Sequence, residues 1–214
     1  MLIPLLIVAV VGYLLGSLPF GYLVARSRGV NIFEVGSKNP GATNVRRVLG
    51  NGAGNLVLAL DALKGTAAVG FPAILGRLGV ALFARPEHEM VALEIAALAA
   101  SLLGHSFSVF TRFKGGKGVA TGAGGFAVLF PLGAAIAIGV FAVVLALSRY
   151  VSLASMFAAS SLPFAAFAFK QPSPVISLAA MVAAFVIYRH RTNLARIRAG
   201  IETKVGQAKA SAKP

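Results

Sequence analysis

The sequence predicts an all-α integral membrane protein, because of its composition and its long uncharged stretches. Of the 214 residues, 57% are hydrophobic and 12% are charged, and the mean hydropathy is +0.83. A soluble globular protein carries about 25% charged residues, so the composition excludes a water-soluble domain, and it also excludes a disordered chain. The length is enough for about six to eight membrane-spanning helices of about 20 residues each.

Six apolar stretches are predicted to enter the membrane, within a single transmembrane domain over residues 1–206. They are residues 1–25, 55–84, 91–111, 118–148, 151–169 and 172–188. The first is too long for the core of a signal peptide and has no charged start and no small-residue cleavage site, so we predict that it is retained as a span. Residues 207–214 are predicted to be a disordered cytoplasmic tail.

Residues 118–148 contain no charge and decide the topology. As one helix with a rise of about 1.5 Å per residue they would measure about 46 Å, against a hydrocarbon core of about 30 Å. The segment Pro131–Gly133 favours a break, so we predict two helices, about 118–130 and 133–148, that form a tight hairpin. The chain then has seven helices, of which the first helix of the hairpin is short enough to be a half-membrane element.

The distribution of charge predicts the orientation of these helices. The chain has 20 Lys and Arg against six Asp and Glu, a formal net charge of +14. With the hairpin, every basic loop and the basic tail fall on one side, while the other side carries three basic and three acidic residues. Cytoplasmic loops carry an excess of Lys and Arg, so we predict an N-terminus outside and a C-terminus in the cytoplasm. This charge predicts anionic lipid or an anionic substrate as the partner, and no nucleic acid.

The first basic loop is rich in residues that bind anions. The run Gly36–Asn44 is composed largely of Gly, Ser, Thr and Asn, and two arginines follow it. Glycines allow backbone N–H groups to converge on an anion, hydroxyl groups donate to it, and Arg binds phosphate with paired hydrogen bonds. A plain turn between two spans is the alternative. The candidate binding residues of this loop are Ser37, Asn39, Thr43, Asn44 and Arg47.

The second basic loop, residues 113–121, resembles a phosphate-binding loop without being a Walker A motif. The positions that this motif reserves for its first Gly and for Ser or Thr hold Thr111 and Gly118. A Gly-rich turn that enters a helix N-terminus still offers free N–H groups to an anion. An ordinary basic cytoplasmic loop is the alternative. The candidate binding residues are Lys114, Gly115, Gly116, Lys117 and Gly118.

A third basic segment begins where the last span ends. His190, Asn193 and Arg196 recur at three-residue spacing and share one face of a helix. Spacing alone favours an amphipathic tail that faces the lipid headgroups.

Smaller features have structural explanations. Asp61 and Lys64 are predicted to form an ion pair at the cytoplasmic end of their span. Ser152 and Ser155 open a span and can serve as N-caps. The pairs Gly12/Gly16 and Ser17/Gly21 are predicted to allow close packing of helices.

Several kinds of site are excluded. The chain has no Cys, so it has no thiolate metal site and no Cys nucleophile. No Ser has Gly at both −2 and +2, and no His is followed by Asp five positions later. The three His residues are far apart, so we predict no metal and no cofactor. No covalent nucleophile or protein base is predicted, and no oligomer is evident.

Taken together, the motifs resemble the bacterial acyl-phosphate:glycerol-3-phosphate acyltransferases, the PlsY family. The resemblance covers the chain to about residue 205. It is carried, in chain order, by Gly16–Gly21, Gly36–Asn44, Asp61–Gly65, Gly104–His105, Phe113–Thr121, Ser152–Leu153, His190–Arg196 and Glu202–Lys204.

The resemblance implies a seven-helix protein of the bacterial cytoplasmic membrane whose active site faces the cytoplasm. It implies transfer of a fatty acyl group from acyl phosphate to the 1-hydroxyl of glycerol 3-phosphate, which gives lysophosphatidic acid and phosphate and begins phospholipid synthesis. It further implies that acyl-CoA is not the donor. Since acyl phosphate is already activated, a basic site that holds two anions can supply most of the rate through proximity and charge stabilisation.

The resemblance also implies roles for the candidate residues. Ser37, Arg47, His190 and Asn193 would contact glycerol 3-phosphate. Lys114, Lys117 and the glycines at 115, 116 and 118 would hold the phosphate of acyl phosphate. Lys117, Lys114 and Arg47 would stabilise charge, and Ser152 would line the pocket. Asn39, Thr43 and Asn44 belong to the same site.

This chain departs from the family pattern at three positions. It has Asn31 and Phe33 where many members have an Asp-x-Arg sequence, and Lys38 where Gly is usual.

Two other functions also fit a basic membrane protein. A transporter of a phosphorylated metabolite would need a basic site at the membrane midplane and broken helices, whereas these motifs cluster on one side. A protein that only binds anionic lipid would explain the basic tail but not the glycines.

Overall fold

The computed structural model describes residues 1–207, and regular structure in this part of the chain is entirely helical. The helices are α1 (Leu2–Ser17), α2 (Phe20–Arg26), α3 (Ala42–Leu49), α4 (Asn51–Arg77), α5 (Glu87–Ser106), α6 (Val119–Leu129), α7 (Pro131–Ser148), α8 (Val151–Ala168), α9 (Ser173–Arg189) and α10 (Arg191–Arg198). A short 3-10 turn at Val109–Thr111 follows α5. Most of the predicted tail, from residue 208 onward, lies outside the described residues.

Five helical segments within residues 1–207 are long and apolar enough to cross a membrane. A sixth consists of α9 and α10 together, which are bent by 53° at His190. The predicted all-α membrane class is therefore confirmed. The predicted count of seven is not, because α6 has only 11 residues, which span about 16 Å, roughly half of the hydrocarbon core.

The uncharged stretch 118–148 divides at Phe130, where α6 ends and α7 begins. Pro131 occupies the first turn of α7, a position that needs no backbone N–H. Lys117, before the stretch, hydrogen-bonds Asn193, and Ser152, after it, hydrogen-bonds Glu202. Since Asn193 and Glu202 are themselves hydrogen-bonded, the stretch starts and finishes at the same end of the bundle.

Small residues allow several helices to approach closely, as predicted for Gly12 and Gly16. A Cβ on Gly16 would lie 2.1 Å from the carbonyl oxygen of Ser101, so α1 and α5 pack nearly backbone to backbone. Gly65 and Gly124 do the same for α4 and α6, where an added Cβ would meet a carbonyl oxygen of the other helix at 2.0 Å. These contacts fix the N-terminus of α6 beside the middle of α4.

The main hydrophobic core lies between α4, α5, α6, α8 and α9, around the fully buried ring of Phe126. The segment after α10 folds back onto the turn between α7 and α8. The N–H of Val205 donates to the Arg149 carbonyl at 2.8 Å, and the Arg149 guanidinium donates to the Val205 carbonyl at 2.7 Å. This return brings Glu202 beneath the start of α8.

Candidate active site

The three predicted loops meet at one end of the bundle. Lys117 of the second loop donates a hydrogen bond to Asn193 of the third segment. The Asn39 side chain of the first loop reaches the carbonyl oxygen of Gly115 at 3.5 Å. Arg189, at the end of α9, donates to the carbonyl oxygens of Gly115 and Gly116 at 3.2 and 2.6 Å. We call residues 114–118 the glycine loop.

The carboxylate of Glu202 accepts hydrogen bonds from three side chains at this end of the bundle. Its Oε1 accepts from Asn193 at 2.7 Å and from Ser152 at 3.1 Å, and its Oε2 accepts from Arg196 at 2.7 Å. Burial alone would raise the pKa of Glu202, but the donors Asn193, Arg196 and Ser152 outweigh it and hold the pKa below the ordinary value. The carboxylate is therefore ionised at neutral pH. Lys117, Ser152, Asn193, Arg196 and Glu202 form what we call the Glu202 cluster.

Positive charge exceeds negative charge around Lys117. Burial is the main cause that lowers the pKa of Lys117 to about 8, and Arg196 lowers it further, against the opposing effect of Glu202. Arg189 and the predicted site residue Arg47 add to the lowering. An anion bound among these cations would relieve their repulsion, so the arrangement is suited to a phosphate group.

The glycine loop has a shape that larger residues cannot adopt. The N–H of Gly116 donates to the carbonyl of His105 at 3.1 Å, and a Cβ on Gly116 would lie 2.1 Å from the imidazole Nε2. Gly118 has a φ of +80° and is the N-cap of α6. No side chain within residues 1–207 caps α6, so the N–H groups of its first turn can bind an anion.

Other predicted residues shape the first loop. The Asn44 amide accepts the N–H of Ser37 at 2.8 Å and donates to the carbonyl of Val35 at 3.1 Å. Because both ends of this buried amide are used within the loop, Asn44 holds the loop that presents Ser37. Asn39 also accepts the N–H of Gly41 at 2.9 Å.

The structure does not bring every candidate residue into the Glu202 cluster. Ser37, Thr43 and Lys114 are exposed. Within residues 1–207, the Lys114 amine makes no hydrogen bond or ion pair with another side chain. His190 is buried beside the cluster, and its Nδ1 donates to the carbonyl of Val186 at 2.8 Å, which leaves Nε2 for another partner.

Sequence reasoning left three charged residues out of the predicted site: Arg189, Arg196 and Glu202. The sequence did hold a signal for Glu202, since it is one of only six acidic residues in a chain of net charge +14. A lone acid among so many bases is expected to be paired. Arg189 acts on backbone carbonyls, which carry no signal in the sequence.

Asn31 and Phe33 make local contacts in and beside the first loop. Asn31 donates to the carboxylate of Glu34, and the ring of Phe33 packs on that of Tyr22 with centroids 5.8 Å apart. In residues 1–207 no group of three or more His, Asp or Glu side chains could hold a metal ion.

Comparison with known proteins agrees with the resemblance found in the sequence. The family model for glycerol-3-phosphate acyltransferase matches residues 6–200. The glycerol-3-phosphate acyltransferase of Thermosynechococcus vestitus is 44% identical over 208 residues, which cover 94% of each chain. That of Geotalea daltonii is 42% identical over 197 residues, covering 92% of this chain and 95% of the relative.

Solved structures show the same fold. The crystal structure of PlsY, an integral membrane glycerol 3-phosphate acyltransferase, in its glycerol 3-phosphate form has a TM-score of 0.83 and 38% identity, with 94% of this chain and 96% of PlsY covered. Its lysophosphatidic acid form has a TM-score of 0.81. The chain belongs to the glycerol-3-phosphate acyltransferase family.

Proposed function

We propose that this protein transfers a fatty acyl group from acyl phosphate to the 1-hydroxyl of glycerol 3-phosphate, releasing lysophosphatidic acid and phosphate. Family membership makes it an acyltransferase that acylates glycerol 3-phosphate for phospholipid synthesis. The choice of acyl phosphate as donor is the proposal. The observation that carries it is the excess of cations around Lys117, at a point where two glycine-containing basic loops meet.

This arrangement fits a reaction between two anions. An acyl phosphate and glycerol 3-phosphate repel each other in solution, and the positive charges of Arg47, Lys117 and Arg196 can hold both. Such preorganised charge is worth most in a site from which water is excluded. An acyl-CoA donor would not bring a phosphate group directly attached to the reacting carbonyl, so the glycine loop would have no group to bind at that point.

The proposed step needs no covalent intermediate on the protein. The 1-hydroxyl oxygen attacks the acyl carbonyl carbon, and the bond between that carbon and the phosphate oxygen breaks. The hydroxyl proton passes to a phosphate group of the substrates and ends on the released phosphate, so that the products are an ester and hydrogen phosphate. In this scheme Ser37, Arg47, His190 and Asn193 bind glycerol 3-phosphate, while Ser152 lines the pocket.

The glycine loop would bind the other phosphate in this scheme. The N–H groups at the start of α6 and the Lys117 amine hold the phosphate of acyl phosphate, with Lys114 adding charge from the surface. Lys117 then stabilises the negative charge that develops on the leaving phosphate, while the acyl chain extends between the helices into lipid. Because charge accumulates on this phosphate as the bond breaks, contacts to it strengthen in the transition state.

The donor is tested with purified protein and labelled glycerol 3-phosphate. We expect lysophosphatidate from a long-chain acyl phosphate in excess chelator, and none from the matching acyl-CoA. Equal activity with acyl-CoA, or complete loss in chelator, would overturn the donor assignment. Exchange of glycerol 3-phosphate across vesicles without product would favour a transporter instead.

We also propose that seven helices enter the bacterial cytoplasmic membrane, with the N-terminus outside and the site and C-terminus in the cytoplasm. The segregation of basic loops supports this orientation. Since the chain has no Cys, single cysteines give clean labelling with an impermeant thiol reagent. Leu78→Cys and Leu132→Cys replace exposed side chains and should react from outside, whereas Thr203→Cys should react only from the cytoplasmic side.

The pattern of labelling separates the two parts of this topology. External reaction at residue 203 would reverse the orientation. External reaction at residue 78 without reaction at 132 would mean that the hairpin does not reach the outer surface, and the count of seven would fail.

A further inference from the structure

A second charged cluster contacts the glycine loop from within the helical bundle. It consists of Asp61 and Lys64 on α4, His105 near the end of α5 and Thr121 in the first turn of α6, and we call it the Asp61 cluster. All four side chains are buried, with 9% exposure or less. Ionisable groups inside a membrane protein are costly to bury and usually serve a function, yet the proposed reaction uses none of these four.

The charged groups of the cluster contact one another and one backbone carbonyl. The Asp61 carboxylate accepts from the Lys64 amine at 2.8 Å, which confirms the predicted ion pair. Lys64 also donates to the carbonyl of Leu18, at the break between α1 and α2, at 2.8 Å. The same carboxylate oxygen lies 3.7 Å from Nδ1 of His105, and that nitrogen lies 3.1 Å from the Thr121 hydroxyl.

The glycine loop packs directly against His105. Its carbonyl oxygen accepts the N–H of Gly116 at 3.1 Å. Added Cβ atoms would meet His105 at 2.1 Å on Gly116 and at 2.2 Å on Gly115. The loop therefore contacts both the main chain and the ring of His105. A displacement of His105 would displace the loop.

We infer that Asp61 and His105 are positioning residues for the binding of phosphate. Asp61 and Thr121 fix the His105 ring from one side, and His105 fixes Gly115 and Gly116 from the other. Lys117 is the next residue along the chain and is thereby aimed at Asn193. Supporting contacts of this kind hold a binding group in its productive geometry. The inference rests on the proposed function, and neither side chain needs to touch a substrate.

The test compares Asp61→Asn and His105→Ala with the matched control Thr66→Val. Thr66 also links α4 to α6, through the carbonyl of Gly124 at 3.1 Å, but is not part of the Asp61 cluster. We expect the first two variants to raise the KM for at least one phosphate-bearing substrate by about tenfold or more, the range of a lost charge-assisted contact. Thr66→Val should leave both KM values unchanged.

A purely structural role gives a different result. Partial unfolding lowers the fraction of active protein, and so lowers kcat with both KM values unchanged; that outcome overturns the inference. Asp61→Asn leaves Lys64 charged and unpaired, which can prevent folding. The double variant Asp61→Asn/Lys64→Met removes that charge, and we expect the same rise in KM from it. Wild-type KM values in the double variant would overturn the role of Asp61.

A double-mutant cycle isolates the contact between His105 and the loop. Gly116→Ala forces a methyl group against the imidazole, and His105→Ala makes room for it. If the two residues act through this contact, the double variant is no worse than the poorer single variant. Losses that multiply, as expected for independent sites, would overturn the proposed coupling.

A measurement without turnover separates this inference from the proposed function. Inorganic phosphate should raise the melting temperature of the wild-type protein and of Thr66→Val, and should have little effect on His105→Ala. If wild-type protein makes no lysophosphatidate, the proposed function fails, while the phosphate response still decides the inference. An equal response in all three proteins would overturn the positioning role.

Discussion

The two clusters beside the glycine loop use the same kinds of side chain but differ in their balance of charge. In the Asp61 cluster one carboxylate is paired with one ammonium at 2.8 Å, and the ammonium also donates to a backbone carbonyl. In the Glu202 cluster one carboxylate accepts from Ser152, Asn193 and Arg196. Among residues 1–207, the acceptor of the Lys117 amine is an amide oxygen, that of Asn193.

This difference separates a rigid support from a binding site. A balanced and buried ion pair is complete without a ligand and costs free energy when either partner is removed. A cluster with surplus cations is incomplete without an anion, and Arg196, Arg189 and Arg47 add to the lowering of the Lys117 pKa that burial causes. The glycine loop lies between the two clusters. The Asp61 cluster can therefore fix the position of the loop, while the Glu202 cluster and the loop together bind the anion.

Removal of the Lys117 charge should lower activity more than any other change to the two clusters. We expect Lys117→Met to lower kcat/KM by about 100-fold or more, because a charge-assisted contact is worth about 1.5–3 kcal/mol and this one strengthens in the transition state. The control is Lys114→Met in the same loop, where the amine is exposed; its loss should be below about tenfold. Similar losses in both variants would mean that position within the loop does not matter.

Neutralisation of Glu202 tests the centre of the same cluster. Glu202→Gln keeps the size of the side chain, but it loses charge-assisted hydrogen bonds worth about 1.5–3 kcal/mol each and turns an amide NH2 group toward other donors. We expect a lower melting temperature and a kcat/KM reduced by about 10- to 100-fold, because Asn193 is no longer held toward Lys117. The half-buried pair Arg85–Glu89, with 3.6 Å between its charged atoms, provides the control Glu89→Gln, which removes an isolated ion pair and should cost about 1 kcal/mol or less of stability.

Glu202 also predicts how stability depends on pH. Its pKa is below the ordinary value of 4.5 in the folded protein, so the stability that it contributes is present above about pH 4.5 and is lost as the pH falls through the folded pKa. Melting temperatures measured from pH 3 to 7 should show this loss in the wild-type protein and a smaller one in Glu202→Gln. Identical profiles would contradict the ionised, hydrogen-bonded state of Glu202.

The pH dependence of binding tests the surplus of positive charge. Lys117, with a pKa of about 8, is cationic below that pH and loses its charge above it. The KM of the phosphate-bearing substrate that it binds should therefore rise above pH 8, approaching about tenfold per pH unit. Lys117→Arg keeps its charge throughout this range and should show a flat profile. A wild-type KM that stays constant to pH 10 would contradict the role of this charge.

Features that depend on local sequence could be predicted, and those that depend on distant contacts could not. The apolar spans, the break beside Pro131 and the Asp61–Lys64 pair follow from composition, proline geometry and a three-residue spacing on one helix. The convergence of Ser152, Asn193 and Glu202 does not, because these residues come from different segments and meet only after α6 and α7 have folded back. The support of the loop by His105 uses a backbone carbonyl, which no side-chain pattern reveals.

The smallest effect is expected at Lys38. Its substitution tests whether binding depends on the positions of the charges or on the total charge of the loops. Lys38 lies in the first basic loop, is exposed, and has a φ of +56°, a left-handed conformation that Gly adopts more readily than Lys. Lys38→Gly removes one of the 20 basic residues but none from the Glu202 cluster. We expect both KM values to stay within about twofold, and the free energy of unfolding to rise by up to about 1 kcal/mol as the backbone strain is relieved. Steady-state kinetics and thermal unfolding in detergent measure both quantities. A KM that rises as much as in Lys117→Met would mean that the site responds to the total charge of its loops, and the distinction between the two clusters would lose its basis.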